Sequence, residues 1–480
     1  MGKSSGFAHR LYLALGNGRL QLAIGLISVP PILVTYLWRT SVDPVLNPGT
    51  YPIDFYEDYV VSGRLVASGG DPYTECISRT CWLGLTSAGS VYPPVVAWLS
   101  QPLSWVDHAN HTILMAGASV AAQVCVAVFL IATTRALGIR TWRALILVSV
   151  LVISFPPLDD EVVQRNIEVL LLALSGIWFV GWVAGDRWWA GVALGVGLAL
   201  KLVQAPMLLL GIWFRRTFAN VAAILVLGAL WLVGEPRLLP EYLFKVLPAI
   251  NTGTGYAMDV APVAAIQRLF HPGSLYGQDP GVDPTARLIG YLIAAAVVIL
   301  TALALRAPRP DPMGRALEAA AVVAATPLIV AVVRPGHLVL LLLPMLVLGT
   351  LAVRQRNVSL GLAVVISWLL AGPVYLWFTK LMEAGLRGPF VRPGEETAMV
   401  GIAVLWIAAL VSLRRHSPEP RAQPPAIAPT IRKGSVPATT ASGRGASGDS
   451  SERSSSQAKN LSIGRRSWVR ASRIVPRKAG

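Results

Sequence analysis

The sequence predicts an all-α polytopic membrane protein with about twelve membrane segments and long extracytoplasmic loops. Of its 480 residues, 54% are hydrophobic and only 14% are charged, whereas soluble domains carry roughly 25% charged residues. The apolar residues also form runs, such as Thr112–Thr134 and Arg287–Leu305. Each run is close to the length of about 20 residues that crosses a hydrocarbon core.

These runs place the individual segments. The predicted spans are 20–38, 112–134, 144–158, 167–184, 218–234, 287–306, 317–333, 338–353, 358–378 and 397–413. Two long external loops, 39–110 and 235–286, lie between them. Val91–Val106 in the first loop is apolar but interrupted by proline, which indicates a short interfacial or re-entrant helix.

The stretch Trp188–Trp213 has two interpretations. As a single span it reverses the sidedness of every later loop. As two half-length helices broken near Lys201–Pro206 it returns to the cytoplasmic side and leaves both termini cytoplasmic. The broken form agrees better with the positive-inside rule, and a broken helix at membrane depth lies against protein or lines a cavity. The broken form places ten arginines on the cytoplasmic side of the membrane, namely Arg187, Arg215, Arg216, Arg306, Arg309, Arg315, Arg354, Arg356, Arg414 and Arg415.

The same rule explains the net charge of +16, so we expect no nucleic-acid partner. Residues 1–416 form the predicted membrane domain. Residues 417–480 are rich in Ser, Arg, Pro and Ala, so they cannot bury a core and are expected to form a disordered basic cytoplasmic tail.

Cys76 and Cys81 lie close together in the first external loop. The sequence is compatible with a disulfide between them and equally with two free thiols. No metal-binding motif occurs in the sequence.

The first loop supplies four carboxylates, on Asp54, Glu57, Asp58 and Asp71. Solvated surface charge is the ordinary explanation for such residues. Asp54 differs because it lies between Ile53 and Phe55. A carboxylate in partly apolar surroundings has a raised pKa and can act as a general base near neutral pH.

Further polar residues gather at the same predicted side. Between two spans lie Asp159, Asp160, Glu161, Gln164, Arg165 and Asn166. Lys201 interrupts a wholly apolar run, and Arg334 and His337 lie between two other spans. An ionisable residue at membrane depth is a functional candidate. The alternatives are a packing salt bridge for Lys201 and an interfacial position without a role for His337. Together, such groups can hold a lipid phosphate while a loop carboxylate takes a hydroxyl proton.

Five stretches carry a resemblance to a known family. They are DFYEDYVVSGRLVASGGDPY, VYPPVVAWLSQPL, VVQRNIEVLLLAL, WWAGVALGVGLALKLVQAP and HLVLLLLPML, between Asp54 and Leu346. They resemble the polyprenol-phosphate-mannose-dependent mannosyltransferases of actinobacteria, glycosyltransferase family 87, which have the GT-C fold. The resemblance implies a GT-C-type bundle in the cell membrane with an extracytoplasmic active site. The chain departs from the family pattern at Val163, in YAMDVAP and before His337, which leaves the sugar and the acceptor open.

The resemblance also implies roles for single residues. The catalytic aspartate falls on Asp54, the membrane lysine on Lys201 and the phosphate-side histidine on His337, and we add Arg334 to the donor phosphate site. Substrate-binding residues are expected at Asp58, Arg64, Tyr92, Gln164 and Asn166.

The implied reaction is a single displacement that moves a hexose, mannose in the family, from a polyprenyl phosphate to a hydroxyl of an external glycolipid or glycan. It requires neither a cofactor nor a metal, because the leaving group is a phosphate monoester. Two alternatives remain open. One is a secondary transporter or lipid flippase, which calls for paired broken helices. The other is a GT-C enzyme that uses an arabinofuranosyl or glucosyl donor.

Overall fold

The computed structural model describes residues 30–46, 55–73, 90–106, 111–254, 258–271, 282–383 and 396–416. All regular structure in these ranges is helical, which confirms the predicted all-α class. Asp54, both cysteines of the possible disulfide and the tail beyond His416 lie outside them. The predictions on those residues therefore stay predictions.

Seventeen helices are labelled here in chain order. The first seven are α1 (30–46), α2 (55–67), α3 (Pro94–Ser100), α4 (His111–Ala136), α5 (Trp142–Ile153), α6 (Pro156–Gln164) and α7 (Glu168–Ala184). The next five are α8 (Trp188–Leu200), α9 (Ala205–Trp213), α10 (Thr217–Val233), α11 (Pro236–Ile250) and α12 (Pro262–Phe270). The last five are α13 (Pro284–Ala304), α14 (Pro312–Ile329), α15 (Pro335–Gln355), α16 (Val358–Leu381) and α17 (Thr397–Arg415).

Within the described ranges, five helices are long and apolar enough to cross a membrane, namely the main part of α4 together with α13, α15, α16 and α17. A sixth span is formed if α10 and α11, which meet at a bend of 98°, are counted together. Four more apolar helices, α5, α7, α8 and the α9 segment, are shorter. The chain is therefore a multi-pass membrane protein, and the count of about twelve segments stays a prediction.

Exposed apolar side chains cover the outer faces of these helices. Examples are Val120, Val124 and Ile131 on α4, and Leu292 and Ile299 on α13. In water such surfaces would be unfavourable, whereas lipid tails solvate them. The outer faces of the bundle are therefore suited to contact with lipid.

The predicted break in Trp188–Trp213 is present in the structure. Helix α8 ends at Leu200, a short 3-10 turn covers Leu202–Gln204, and α9 begins at Ala205. Asp186, before α8, accepts hydrogen bonds from the backbone N–H groups of Phe218 and Ala219 at the start of α10. Because α9 leads directly into α10, the hairpin of α8 and α9 enters and leaves at the same end of the bundle.

Small residues let the hairpin approach its neighbours closely. A Cβ atom at Gly191 would lie 1.9 Å from the carbonyl oxygen of Ala219, and one at Gly195 would lie 2.6 Å from that of Ala223. Helices α8 and α10 are therefore parallel and in backbone contact. Glycine at such positions is typical of helix packing in membranes. The hydrophobic effect does not drive helices together in lipid, so close van der Waals contact stabilises their packing.

One predicted span was wrong in detail. Residues 144–158 were expected to form a single segment, but α5 ends at Ile153 and α6 starts at Pro156. Proline cannot donate the backbone hydrogen bond that a continuing helix needs, and it disfavours helical geometry in the residue before it. Phe155 accordingly has an extended backbone with ψ 110°. The loop stretch Val91–Val106 does form a short helix, as predicted, followed by a 3-10 turn at Gln101–Trp105.

The arginines predicted to be cytoplasmic gather at one end of the bundle. Arg315 Nε donates to Val183 O at 2.8 Å, at the end of α7. Arg309 Nη2 donates to Leu413 O at 2.9 Å, at the end of α17. These contacts join the start of α14 to the ends of α7 and α17, and we call this region the arginine end.

Candidate active site

Polar side chains from separate parts of the chain meet at the end of the bundle opposite the arginine end. They come from α2, the segment before α3, the turn before α7, the start of α7, the hairpin tip and the start of α15. We call them the polar cluster: Tyr59, Tyr92, Asn166, Glu168, Lys201 and His337. Four of these six residues were predicted from the sequence.

Lys201 occupies the tip of the hairpin. Its extended backbone (φ −161°, ψ 125°) ends α8, and its side chain is 19% exposed. The Nζ atom forms an ion pair with Glu168 Oε1 and lies 4.9 Å from the ring centroid of Tyr92. A carboxylate and an aromatic face both stabilise a partly buried ammonium group. The salt bridge considered from the sequence is thus present, inside the polar cluster.

The side chain of Asn166 accepts several hydrogen bonds beside Lys201. Its Oδ1 atom accepts bonds from Tyr59 Oη at 2.5 Å, from Tyr92 Oη at 3.2 Å and from the backbone N–H of Ile167 at 2.8 Å. Burial raises the pKa of Tyr59, and the carboxylates of Glu168 and Asp58 raise it further, so Tyr59 stays a neutral donor. None of these bonds uses the amide nitrogen of Asn166, which is the natural donor to a sugar hydroxyl.

The ring nitrogens of His337 have different environments. Nδ1 accepts a hydrogen bond from the backbone N–H of Arg334 at 3.2 Å. In a neutral imidazole an accepting Nδ1 leaves the proton on Nε2. Nε2 lies 3.7 Å from Glu168 Oε1 and has no hydrogen-bond partner. His337 therefore presents a buried N–H donor to the same space as the Lys201 ammonium.

Close packing fixes the turn that carries His337. A Cβ atom at Gly336 would lie 2.3 Å from Glu161 Oε1, so the carboxylate of α6 rests directly on this glycine. On the other side, the backbone N–H of Val260 donates to Val333 O at 2.9 Å. These two contacts hold the start of α15 between α6 and the segment before α12.

Asp259 organises that second contact. Its Oδ1 atom accepts hydrogen bonds from the backbone N–H groups of Ala261 at 2.9 Å and Val333 at 2.8 Å. Complete burial raises the pKa of Asp259 to about 6, although the guanidinium of Arg334 and these backbone bonds act in the opposite direction. The buried carboxyl thus holds the chain at Val333, which lies next to Arg334 and four residues before His337.

The remaining predicted site residues have different positions. Arg334 is half-buried and orients His337 through its backbone. Asp58 is half-buried on α2 beside Tyr59. Gln164 is half-buried at the end of α6, and Arg64 is exposed on α2. The described contacts bring neither of the last two residues into the polar cluster. Asp54 lies outside the described residues, but Phe55, which follows it, is buried and packs on the Tyr59 ring.

Glu168, Tyr59 and Asp259 were not predicted as site residues. A sequence signal existed for Glu168, because it opens the apolar run EVLLLALSGIWFV just as Lys201 ends one. A carboxylate and an ammonium that both occur at membrane depth are expected to pair. Tyr59 and Asp259 offered no comparable signal, since a tyrosine or an aspartate in an external loop is ordinary.

The arrangement can bind an anion and a sugar side by side. The ammonium of Lys201 and the Nε2–H group of His337 are suited to phosphate oxygens. The Asn166 amide and the two tyrosine hydroxyls are suited to hydroxyl groups. The cluster thus has the chemistry to recognise a sugar phosphate.

The chain is similar to several known proteins. The model of glycosyltransferase family 87 matches residues 91–331. A polyprenol-phosphate-mannose-dependent alpha-(1-2)-phosphatidylinositol mannoside mannosyltransferase of Mycobacterium tuberculosis is 26% identical in an alignment of 379 residues, which covers 73% of this chain and 81% of the relative. Among solved structures, ArnT from Cupriavidus metallidurans bound to undecaprenyl phosphate is similar with a TM-score of 0.39 and 16% identity, over 83% of this chain and 78% of ArnT.

Proposed function

Because the chain belongs to glycosyltransferase family 87, we propose that it transfers a hexose from a polyprenyl phosphate to a hydroxyl of a glycolipid or glycan on the extracytoplasmic side of the cell membrane. We take the hexose to be mannose, as in the name of the mycobacterial relative. The observation that carries the proposal is the approach of Lys201 and His337 at the hairpin tip. It supplies a charged and a neutral donor to one small volume.

The donor phosphate lies, in this proposal, between Lys201 Nζ and His337 Nε2, while Arg334 contributes positive charge from the neighbouring turn. The cation and the N–H group stabilise negative charge that grows on the phosphate as the sugar leaves. A partly buried site strengthens these interactions relative to water. The lipid tail remains in the bilayer beside the bundle.

The reaction is a single displacement at the anomeric carbon. The acceptor oxygen forms a bond to this carbon, and the bond between the carbon and the phosphate oxygen breaks with its electron pair going to the phosphate. The acceptor proton passes to the carboxylate of Asp54, in the role that the family resemblance gives it. Asn166, with Tyr59 and Tyr92, holds sugar hydroxyls, and Asp58 contributes from the same segment as Tyr59.

The charge distribution of the bundle supports the proposed sidedness. The polar cluster lies at the end away from the arginine end. Cytoplasmic segments of membrane proteins are enriched in Lys and Arg, so the arginine end faces the cytoplasm in this proposal. Both termini then lie in the cytoplasm, and donor and acceptor meet outside.

The test is direct transfer by the purified full-length protein. We expect radiolabelled sugar to move from polyprenyl-phosphate-mannose to a lipid acceptor when the protein is incubated with membrane lipids. No transfer from this donor, with transfer from an arabinofuranosyl or glucosyl polyprenyl phosphate, would change the sugar and keep the mechanism. No transfer from any of these donors would overturn the proposed function.

Variants at the donor site sharpen this test. His337→Ala should lower donor efficiency about tenfold to a hundredfold, because a lost charge-assisted hydrogen bond costs roughly 1.5–3 kcal/mol. Lys201→Met alone would leave Glu168 buried without its cation, so Lys201→Met/Glu168→Gln is the better variant and should lose donor efficiency while staying folded. Lys245→Ala removes an exposed lysine of α11 and should transfer at the normal rate. Normal transfer by both site variants would make these residues structural.

A further inference from the structure

Glu168 is a buried carboxylate inside the proposed phosphate site. It is 3% exposed. Its Oε1 atom forms the ion pair with Lys201 and lies 3.7 Å from His337 Nε2, while its Oε2 atom is buried without a hydrogen-bond partner. A phosphate that contacts the same two donors must therefore lie within a few ångströms of a second negative charge. For tight anion binding alone, a neutral residue would serve better.

The two lipid phosphates of the reaction differ in charge. The sugar-loaded donor is a phosphodiester and carries one negative charge. The spent carrier is a phosphomonoester, whose second ionisation has a pKa near 6, so it carries between 1.5 and 2 negative charges at neutral pH. A site that contained only Lys201, Arg334 and His337 would bind the product more tightly than the donor.

We propose, on the basis of the proposed function, that Glu168 sets the preference of this site between the two carriers. Its carboxylate repels the additional charge of the phosphomonoester, and it neutralises Lys201 when the site is empty. The spent carrier then leaves readily and the loaded donor takes its place. Glu168 is in this sense a specificity-determining residue for the lipid phosphate.

The expected effect is large enough to measure. Two unit charges about 5 Å apart in a partly buried site interact by more than the free energy that corresponds to a tenfold change in affinity. Replacing Glu168 by Gln keeps the shape and leaves an oxygen that can accept from Lys201. The charge alone is removed.

The experiment compares two probes on full-length protein in nanodiscs. One probe is polyprenyl phosphate and the other is its methyl diester, which carries a single charge and no sugar. In the wild type we expect the monoester to bind no more tightly than the methyl diester. In Glu168→Gln the monoester should bind about tenfold more tightly than the diester, or better. Inhibition of transfer by added polyprenyl phosphate should strengthen in parallel.

Two further variants separate charge from structure. Glu168→Asp keeps the charge and should keep the wild-type ratio of the two affinities. Glu318→Gln replaces a fully buried carboxyl group at the arginine end, where Glu318 accepts from the backbone N–H of Arg309, and should also keep the ratio.

The outcomes distinguish this inference from the proposed function. A monoester that binds tenfold more tightly in the wild type, or an unchanged ratio in Glu168→Gln, would overturn the role of Glu168 and leave the transferase proposal standing. A wild-type protein that binds neither probe and transfers no lipid-linked sugar would remove the proposed function, and the role of Glu168 with it.

Discussion

The hydroxyl group of Tyr59 connects two segments through Asn166. It donates to Asn166 Oδ1 at 2.5 Å and accepts from the backbone N–H of Ile167 at 3.0 Å. Tyr59 lies on α2, the helix that begins one residue after Asp54, whereas Asn166 lies in the turn before α7. This single hydroxyl therefore joins the segment of the proposed base to the turn that leads into Glu168.

Tyr59→Phe should weaken this connection. The variant loses two hydrogen bonds of a buried group, which costs about 1–3 kcal/mol, and it leaves Asn166 held by fewer partners. We expect a lower thermal midpoint in detergent and a loss of transfer activity that is larger than the loss of donor binding. Tyr291→Phe removes a tyrosine bond to Asn251 O, away from the cluster, and should transfer normally. Equal activity of the two variants would contradict the proposed role of the Tyr59–Asn166 bond.

The assignment of the base is tested by two carboxylates in the same segment. General-base catalysis contributes roughly 10²–10⁴-fold, so Asp54→Asn should bind the lipid donor and lose nearly all transfer. Asp58→Asn should lose far less, since Asp58 is assigned only a substrate contact. Binding and turnover are measured for both variants, because either could fail by misfolding. An inactive Asp58→Asn with an active Asp54→Asn would move the base to Asp58, and two active variants would favour the transporter alternative.

The sidedness of the bundle can be mapped by labelling. Single cysteines placed at Asp54 and at Arg415 should react with a membrane-impermeant thiol reagent from opposite sides of the membrane, because the polar cluster and the arginine end lie at opposite ends. The background chain needs Cys76, Cys81 and Cys125 replaced. Labelling of both positions from the same side would remove the proposed extracytoplasmic site.

The contact of Gly336 with Glu161 predicts a coupled pair of variants. Gly336→Ala places a methyl group where the Glu161 carboxylate now lies, so either this buried side chain or the His337 turn must move. We expect reduced stability and a loss of donor efficiency. In the Glu161→Ala background the same change should cost clearly less. Additive effects in the double variant would show that the contact does not position His337.

Asp259 should make stability depend on pH. A carboxyl whose pKa is raised by folding stabilises the folded state while it is protonated, and this contribution disappears as the pH rises through the raised pKa. With a pKa of about 6 instead of 3.8, the contribution is complete below about pH 4, amounts to at most about 3 kcal/mol, and is lost above pH 6. As the pH rises from 4.5 to 7, the thermal midpoint of the wild type should therefore fall relative to that of Asp259→Asn. A constant difference would contradict the raised pKa.

Patterns within one segment allowed much of the fold to be predicted. Long apolar runs indicated the membrane helices, and the lysine in Trp188–Trp213 together with the arginine bias indicated the break at the hairpin tip. These features depend on composition and local charge, which the sequence shows directly. The break between α5 and α6 was missed, although Pro156 and Pro157 gave a local reason for it.

The site was predicted only in part, because its pairings join distant positions. The sequence singled out Lys201 and His337 by their chemistry, but the carboxylate between them comes from Glu168, 33 residues before the lysine. The bond from Val333 to Asp259 joins residues 74 positions apart. Such pairs are set by how the helices pack, and a single sequence contains no direct measure of that packing.

The hairpin of α8 and α9 has a consequence for how the molecule can vary. The chain enters and leaves the hairpin at the arginine end, so the hairpin does not carry the chain across the membrane. The orientation of every later helix is therefore the same with or without the hairpin. A chain that lacks residues 188–213 would lose the lysine at the tip, yet a reporter fused behind α10 should still be found in the same compartment. Lys201, the proposed phosphate-binding residue, thus lies on an element that does not affect the insertion of the remaining chain.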